Sequence, residues 1–508
     1  REAARKGLRA LLIEQRDFAW GTSSRSSKMV HGGLRYLAQG DFKLTRHSLQ
    51  ERERLLVEAP GLVERMGYYM MMKSGQFPGR LVMSMVLKLY DLIAGVKDHR
   101  YCNLQAVNAL FPGINNKKLK GACYYTDAVT DDARLVLRVL QEAVTASEEN
   151  QSCIHALNYA KVQKLLQSNG QVKGVVVEDV ETGRHLELEA TVVVNATGTW
   201  ADRLRNEVNP EQRVRPLRGS HLVIPQVRLP VEGVATLFHP QDKRPVFIFP
   251  WEGATVVGTT DLDHKQNLDS EASISAEELE YLLLVVNDQF LQSQISPDDI
   301  IATYSGVRPV IGSEKSRDPS KERRDHAVWS DDGLITVSGG KLTTFRLIAL
   351  EVMAKVWPRL ERAGVESSMD DGDERVFKLS TLTAKQLIPN DATRAQRLLG
   401  RYGDYAANIL EKTSFKDREK IATTEYCLAE CRWAVKNEAV IHLDDLLLRR
   451  TRIGLLLKNG GEEIFDALKQ IFAEELSWTP DRWTQERARY LDIWQQHYSL
   501  PNSKQLLA

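Results

Sequence analysis

The opening stretch of the chain alternates between apolar and polar runs in a way that predicts its first elements. "REAARK" has helix-forming composition, Gly7 suits the position just past a helix end, and residues 8–13, "LRALLI", form a short apolar strand run closed by Glu14. Soon after comes "GTSSRSSKMVHGGLRYL" (21–37), rich in hydroxyls, glycines and cations and poor in core-forming residues. A strand leading through a small-residue turn into a helix start recurs twice more. "ATVVVNATGTWA" (190–201) carries a β-branched strand into Ala-Thr-Gly, and "DGLITVSGGKLTTFRLIALEVM" (332–353) carries another into Gly-Gly and a helix starting near Leu342. Such units bring glycine turns and free backbone N–H groups to the carboxyl edge of a parallel sheet, where dinucleotides bind.

An acidic residue ending the second strand of a βαβ unit bonds a ribose about 20 residues after the glycine-rich turn. Counting back from Glu14 by that distance passes Arg1, so the first strand and glycine fingerprint are expected to lie before the first residue of this sequence. Further on, "RGSHLVIP" and "RPVFIFPWEGATVVGTT" alternate as antiparallel strands. The acidic run "MDDGDE" (369–374) reads as a linker, and periodic runs such as "HLDDLLLRRTRIGLLL" predict a helical domain after it. The most apolar stretch, "LVMSMVLKLYDLIAGV" (81–96), is interrupted by Lys88 and Asp91, so no membrane-crossing helix is expected. It reads either as a buried helix or as an amphipathic surface helix that touches lipid.

Composition narrows the function. Of 508 residues, 68 are Lys or Arg and 68 are Asp or Glu, a balance that gives no electrostatic footprint for nucleic acid. Five scattered cysteines without a CxxC spacing imply a reduced, cytoplasmic setting and no metal site.

The segments "GTSSRSSKMVHGGLRYL", "NATGTWAD", "RPLRGSHLVIP", "VVGTTDLD", "GVRPV" and "SGGKLTTFR" occur in an order that resembles the FAD-dependent, quinone-linked glycerol-3-phosphate dehydrogenases of the aerobic type. The resemblance covers about 1–345 and continues more weakly through the C-terminal helices. It departs at Trp20, where a small residue is usual, at Phe345, where tyrosine is usual, and in the fingerprint. It implies an α/β fold with a discontinuous FAD-binding, Rossmann-like domain of the D-amino-acid-oxidase and glutathione-reductase type at 1–50, 127–215 and 301–368. It further implies an antiparallel-sheet substrate domain at 51–126 and 216–300 and a helical C-terminal domain at 370–508. The implied activity is oxidation of sn-glycerol 3-phosphate to dihydroxyacetone phosphate, with electrons passing through FAD to a membrane quinone. Peripheral attachment to the cytoplasmic face of the inner or plasma membrane follows from that acceptor; a homodimer is left open. An oxidase using oxygen and a catalytically inactive flavin-fold protein stand as alternatives.

A phosphate dianion calls for converging cations. Arg35, Arg308 and Lys341 lie on turns expected to face the cofactor, and the resemblance implies that they and Tyr36 contact substrate. For the hydroxyl proton, His221 is preferred over His31, because imidazole exchanges protons near neutrality. Lys341 serves phosphate, flavin or both, and the N–H groups from Gly340 through Lys341 and Leu342 to Thr343 would stabilise charge on a reduced flavin. Cofactor contacts are expected from Glu14, from Thr22, Ser23, Ser24, Ser27 and Lys28, from the backbone of His31, Gly32 and Gly33, and from Ala196, Thr197 and Gly198. The resemblance adds Gln15 and Val162.

Overall fold

The computed structural model describes residues 1–38, 40–75, 77–312, 326–365, 375–411 and 413–501. The linker expected at 369–374 lies outside the described residues, as does the side chain of Arg35.

Among the described residues the strands form four sheets. Arg9–Ile13 pairs in parallel with Cys153–Leu157. Val193–Asn195 runs parallel to Leu334–Gly339, which takes His326–Asp331 antiparallel on its other side. Ala160–Ser168, Gln171–Asp179 and His185–Glu189 make an antiparallel meander. The fourth sheet has ten strands and is mostly antiparallel; the exception is Val234–Phe238, which runs parallel to Val63–Lys73.

That large sheet takes more of the chain than the sequence suggests. Ala302–Ile311, grouped above with the cofactor-binding segments, pairs along its ten residues with Val214–Pro225. Met29–Val30, from the polar segment, pairs with Leu119–Thr130. The polar segment is therefore hydrogen-bonded into the sheet that carries His221 and Arg308. Local sequence explains the flanking helices. Asp131 caps Asp132–Glu149 by accepting from the Arg134 amide, and Ser275 with Glu278 forms a capping box at the start of Ala276–Gln289.

One core cluster joins Tyr68, Phe249 and Val256 of the large sheet to Leu446, Leu447 and Tyr490 of the C-terminal helices, all nearly or wholly buried. Burying side chains of this size stabilises a fold by roughly 1.5–3 kcal/mol each, so the C-terminal helices are packed on the sheet as part of one body. The helix Arg80–Ala94 is different. It buries Met83, Leu87 and Tyr90 but leaves Leu81, Met85 and Leu92 at 80%, 64% and 76% exposure, beside Phe77 at 86%. Among the described residues, no helix is long and apolar enough to cross a membrane.

Candidate active site

A single cavity of about 2400 Å³ extends from Glu14 to Arg308. Its walls are apolar where Leu11, Leu12 and Val194 stand open on their strands. Glu14, just past Arg9–Ile13, accepts from the Arg16 amide at 3.0 Å, and burial raises its carboxyl above the usual range. Gln15 and Val162 also line the cavity.

The hydroxyl segment divides into two faces. Thr22, Ser23 and Ser27 line the cavity. Ser24 does not; it is buried, and its carbonyl accepts from Lys28 Nζ at 2.6 Å and from Arg452. Lys28, expected at the cofactor, is wholly buried and does not line the cavity, with Nζ 2.7 Å from Asp132 Oδ1. Burial, then the nearby Arg452 charge, pulls its ammonium down to about 7 against the opposing pull of Asp132. A lysine adjoining a hydroxyl loop looks like an anion ligand in sequence; here Asp132 claims it.

The paired glycines also do two jobs. Gly33, at φ +82°, lines the cavity, as a turn close to a ligand requires. Gly32 does not: a Cβ there would fall 2.1 Å from Leu49 Cδ2 and 2.3 Å from the Tyr90 hydroxyl. Its amide donates to Asp127 Oδ1 at 2.8 Å, and the same carboxylate oxygen accepts from Arg52 and Tyr90. Gly32 is thus required by packing.

At the other end, Arg308, Lys341 and Tyr36 share the cavity. Lys341 Nζ stands over the Tyr36 ring, 4.3 Å from its centre. Arg308 is held by Asp261 at 3.3 Å and by the Thr259 hydroxyl at 3.2 Å. Asp261 also pairs with Arg244 at 2.9 Å, and Arg244 and Lys243 line the cavity too. Sequence reasoning missed these two cations; the basic pair in "QDKRPV", between two predicted strands, was the available signal. Arg35 lies in the helix Leu34–Ala38.

The two histidines are placed differently. His31 lines the cavity and stacks with Tyr36, ring centres 6.3 Å apart. His221 does not line it. The ring is buried, stacked on Tyr304 at 4.5 Å, with Nε2 2.9 Å from Ser27 Oγ. Burial, reinforced by the Arg308 and Lys28 charges, holds this imidazole well below its ordinary range, so it is neutral at physiological pH.

Ala196, Thr197 and Gly198 line the cavity, with Gly198 at φ +62°. Gly340, at φ +83°, and Leu342 face it as well. Thr343 is buried away from it; its hydroxyl accepts from the His31 amide and donates to the His31 carbonyl, both at 3.1 Å, tying the two turns together. The donor set fits a dinucleotide such as FAD: a carboxylate for a ribose at one end, hydroxyls and glycine turns between, and cations at the other.

Residues 1–351 match the family model described as "FAD dependent oxidoreductase", and residues 371–483 match "C-terminal domain of alpha-glycerophosphate oxidase". The chain is 33% identical over 500 residues to the "Aerobic glycerol-3-phosphate dehydrogenase" of Bacillus subtilis (strain 168), covering 94% of this chain and 88% of that protein. It is also 33% identical over 508 residues to the "Glycerol-3-phosphate dehydrogenase" of Mycobacterium leprae (strain TN), covering 96% and 84%. The solved glycerol-3-phosphate dehydrogenase from Bacillus halodurans, complexed with FAD, superposes with a TM-score of 0.74 at 25% identity over 97% of this chain and 91% of that one.

Proposed function

This chain belongs to the FAD-dependent glycerol-3-phosphate dehydrogenases, and from that premise we propose that it oxidises sn-glycerol 3-phosphate to dihydroxyacetone phosphate and hands the electrons to a membrane quinone. One observation carries the reading: Arg308 and Lys341 line the same cavity as Glu14, so a phosphate anchor and a dinucleotide site are parts of one space.

A bound FAD would supply the acceptor for the substrate's C2 hydrogen, which leaves as hydride. The protein's residues do the rest. Arg308, oriented by Asp261, and Lys341, resting on Tyr36, neutralise the phosphate and fix the carbon chain. Arg244 adds charge on the same side. The hydroxyl proton passes to Ser27 Oγ as Ser27 gives its own proton to His221 Nε2, leaving a carbonyl on the product and an imidazolium behind the serine. Burial and the Arg308 and Lys28 charges keep the ring neutral beforehand and also oppose its protonation, so His221 holds the proton only in passing and must hand it on.

The quinone step needs contact with a bilayer, since the acceptor is lipid-soluble. Support comes from the helix Arg80–Ala94, whose outward Leu81, Met85 and Leu92 stand next to exposed Phe77, Lys88 and Lys97. The protein would then lie peripherally on the cytoplasmic face of the membrane. The test is steady-state kinetics of the FAD-loaded protein with a quinone analogue or oxygen as acceptor. Quinone reduction without peroxide supports the reading; stoichiometric peroxide makes the chain an oxidase.

A further inference from the structure

The C-terminal helices reach the hydroxyl segment through three arginines. A π-helix, Asp445–Arg450, runs into Thr451 and Arg452, and Arg449, Arg450 and Arg452 are all buried. Arg450 grips Asp17 with two prongs, Nη1 to Oδ2 at 2.6 Å and Nη2 to Oδ1 at 2.7 Å, and Arg449 Nε donates to the same carboxylate. Burial works against ionising Asp17, but Arg450 and Arg449 outweigh it and hold the carboxyl below its usual range. Asp17 stands four residues before the segment; the second anchor lies within it. There Arg452 Nη2 donates to the Ser24 carbonyl and, at 3.2 Å, to Asp132 Oδ1. Asp132 in turn accepts from the Ser26 amide at 2.9 Å, the Ser26 hydroxyl at 2.7 Å and Lys28 Nζ.

None of the three arginines lines the cavity, although Asp132, which Arg452 binds, does. The cavity-lining Thr22, Ser23, Ser26 and Ser27 lie between the first anchor and Lys28, which itself bonds Asp132. Phe18, Ala19 and Trp20 are buried just after Asp17, but from Thr22 to Lys28 the stretch is a short 3-10 turn, Thr22–Ser24, followed by Arg25 and two serines, with no apolar side chain to hold it. Its placement is set by polar contacts, and the forked, fully charged guanidinium is the group that fixes such contacts in direction as well as distance.

We propose that Arg450 and Arg452 are positioning residues: the C-terminal domain clamps the segment at Asp17 and at Ser24–Asp132, sets it against bound FAD, and keeps Ser27 within reach of His221. The inference rests on the reading that this segment meets FAD and that Ser27 relays the proton. It gives the C-terminal domain a part in the flavin site, with a domain staple as the competing role.

The variants are Arg452→Lys and Arg450→Lys, which keep the charge and lose the fork, with Asp17→Asn as a second route to the same break. Each is purified with FAD, and three quantities are read: amide hydrogen exchange at 21–28, FAD dissociation, and kcat per bound flavin against KM. The proposal expects faster exchange at 21–28 with the strand Val214–Pro225 still protected, and readier loss of FAD. It expects kcat per bound flavin to fall about 100-fold, as for a misplaced group, with KM within about twofold. Unchanged exchange at 21–28 overturns the clamp. Faster exchange with unaltered FAD release and kcat per bound flavin leaves only a domain staple and overturns the proposal as well. Ser27→Ala, with the clamp intact, separates the two readings: wild-type kcat there removes the serine relay, while the exchange and FAD data still decide the clamp.

Discussion

Ser27 Oγ stands 2.9 Å from His221 Nε2, and of the two only the serine faces the cavity. In the proposed reaction the pair would divide proton acceptance between a contact residue and a buried receiver. His221→Asn should lower kcat by about 10²- to 10⁴-fold, the range of a lost general base, with KM little changed. The pH profile follows from the sign of the shift. Because the folded protein holds this imidazole well below its ordinary range, kcat should be flat through neutrality and fall only in acid, as the ring takes up a proton before turnover. A descending limb centred on the ordinary histidine value would assign the step to another group, with His31 next in line.

Arg308 is aimed by Asp261 and Thr259. Arg308→Ala should cut kcat/KM for glycerol 3-phosphate by on the order of 100-fold, equivalent to about 3 kcal/mol for a hydrogen bond to a charged group. Activity on unphosphorylated glycerol should hardly change. Asp261→Asn should raise KM with a smaller loss, since the guanidinium stays but is no longer held. Equal losses on both substrates would remove Arg308 from the phosphate anchor.

Gly32 predicts a stability effect at a position that looks like a ligand turn. In Gly32→Ala the new Cβ meets Leu49 and Tyr90 well inside contact distance, so the protein should lose about 1–3 kcal/mol, the usual range for overpacking. Urea unfolding of the FAD-free protein measures this. A variant of normal stability that has lost only FAD binding would instead return Gly32 to the cofactor.

The outward face of Arg80–Ala94 gives a test of membrane contact. Replacing Leu81, Met85 and Leu92 together with serine should abolish sedimentation with anionic vesicles and slow reduction of a long-chain quinone held in them. Reduction of a water-soluble dye should be unchanged, because these side chains are exposed and a surface substitution usually shifts stability by no more than about 0.5 kcal/mol. Equal slowing with dye and quinone would make the face structural.

What the sequence disclosed, and what it withheld, follows from how far apart the partners lie along the chain. Glu14, the Ala196–Gly198 turn and the Gly-Gly-Lys turn were legible because a strand, a turn and a helix start are local patterns, and the structure brings them to one cavity. The surroundings of Lys28 and Gly32 were not legible because they are tertiary: Asp132 lies 104 residues from Lys28, and nothing near Gly32 in sequence announces Leu49 or Tyr90. Asp127, Asp261 and the C-terminal arginines were missed for the same reason, since a charged residue in a periodic helix or strand reads as solvated surface until a buried partner appears. The pairing of Ala302–Ile311 with Val214–Pro225 was not legible because it joins strands about 90 residues apart and periodicity does not specify a partner. Arg244 was overlooked in a connecting turn.

The central claim is that fixed cations grip a phosphorylated alcohol beside FAD so that its hydrogen can leave as hydride. Anaerobic titration of the FAD-loaded protein, followed by flavin absorbance, measures that directly. The account predicts that glycerol 3-phosphate bleaches the flavin fully and stoichiometrically, that glycerol does so only at far higher concentration, and that Arg308→Ala brings the two together. Bleaching by glycerol and its phosphate at equal concentrations, or by neither, would contradict it.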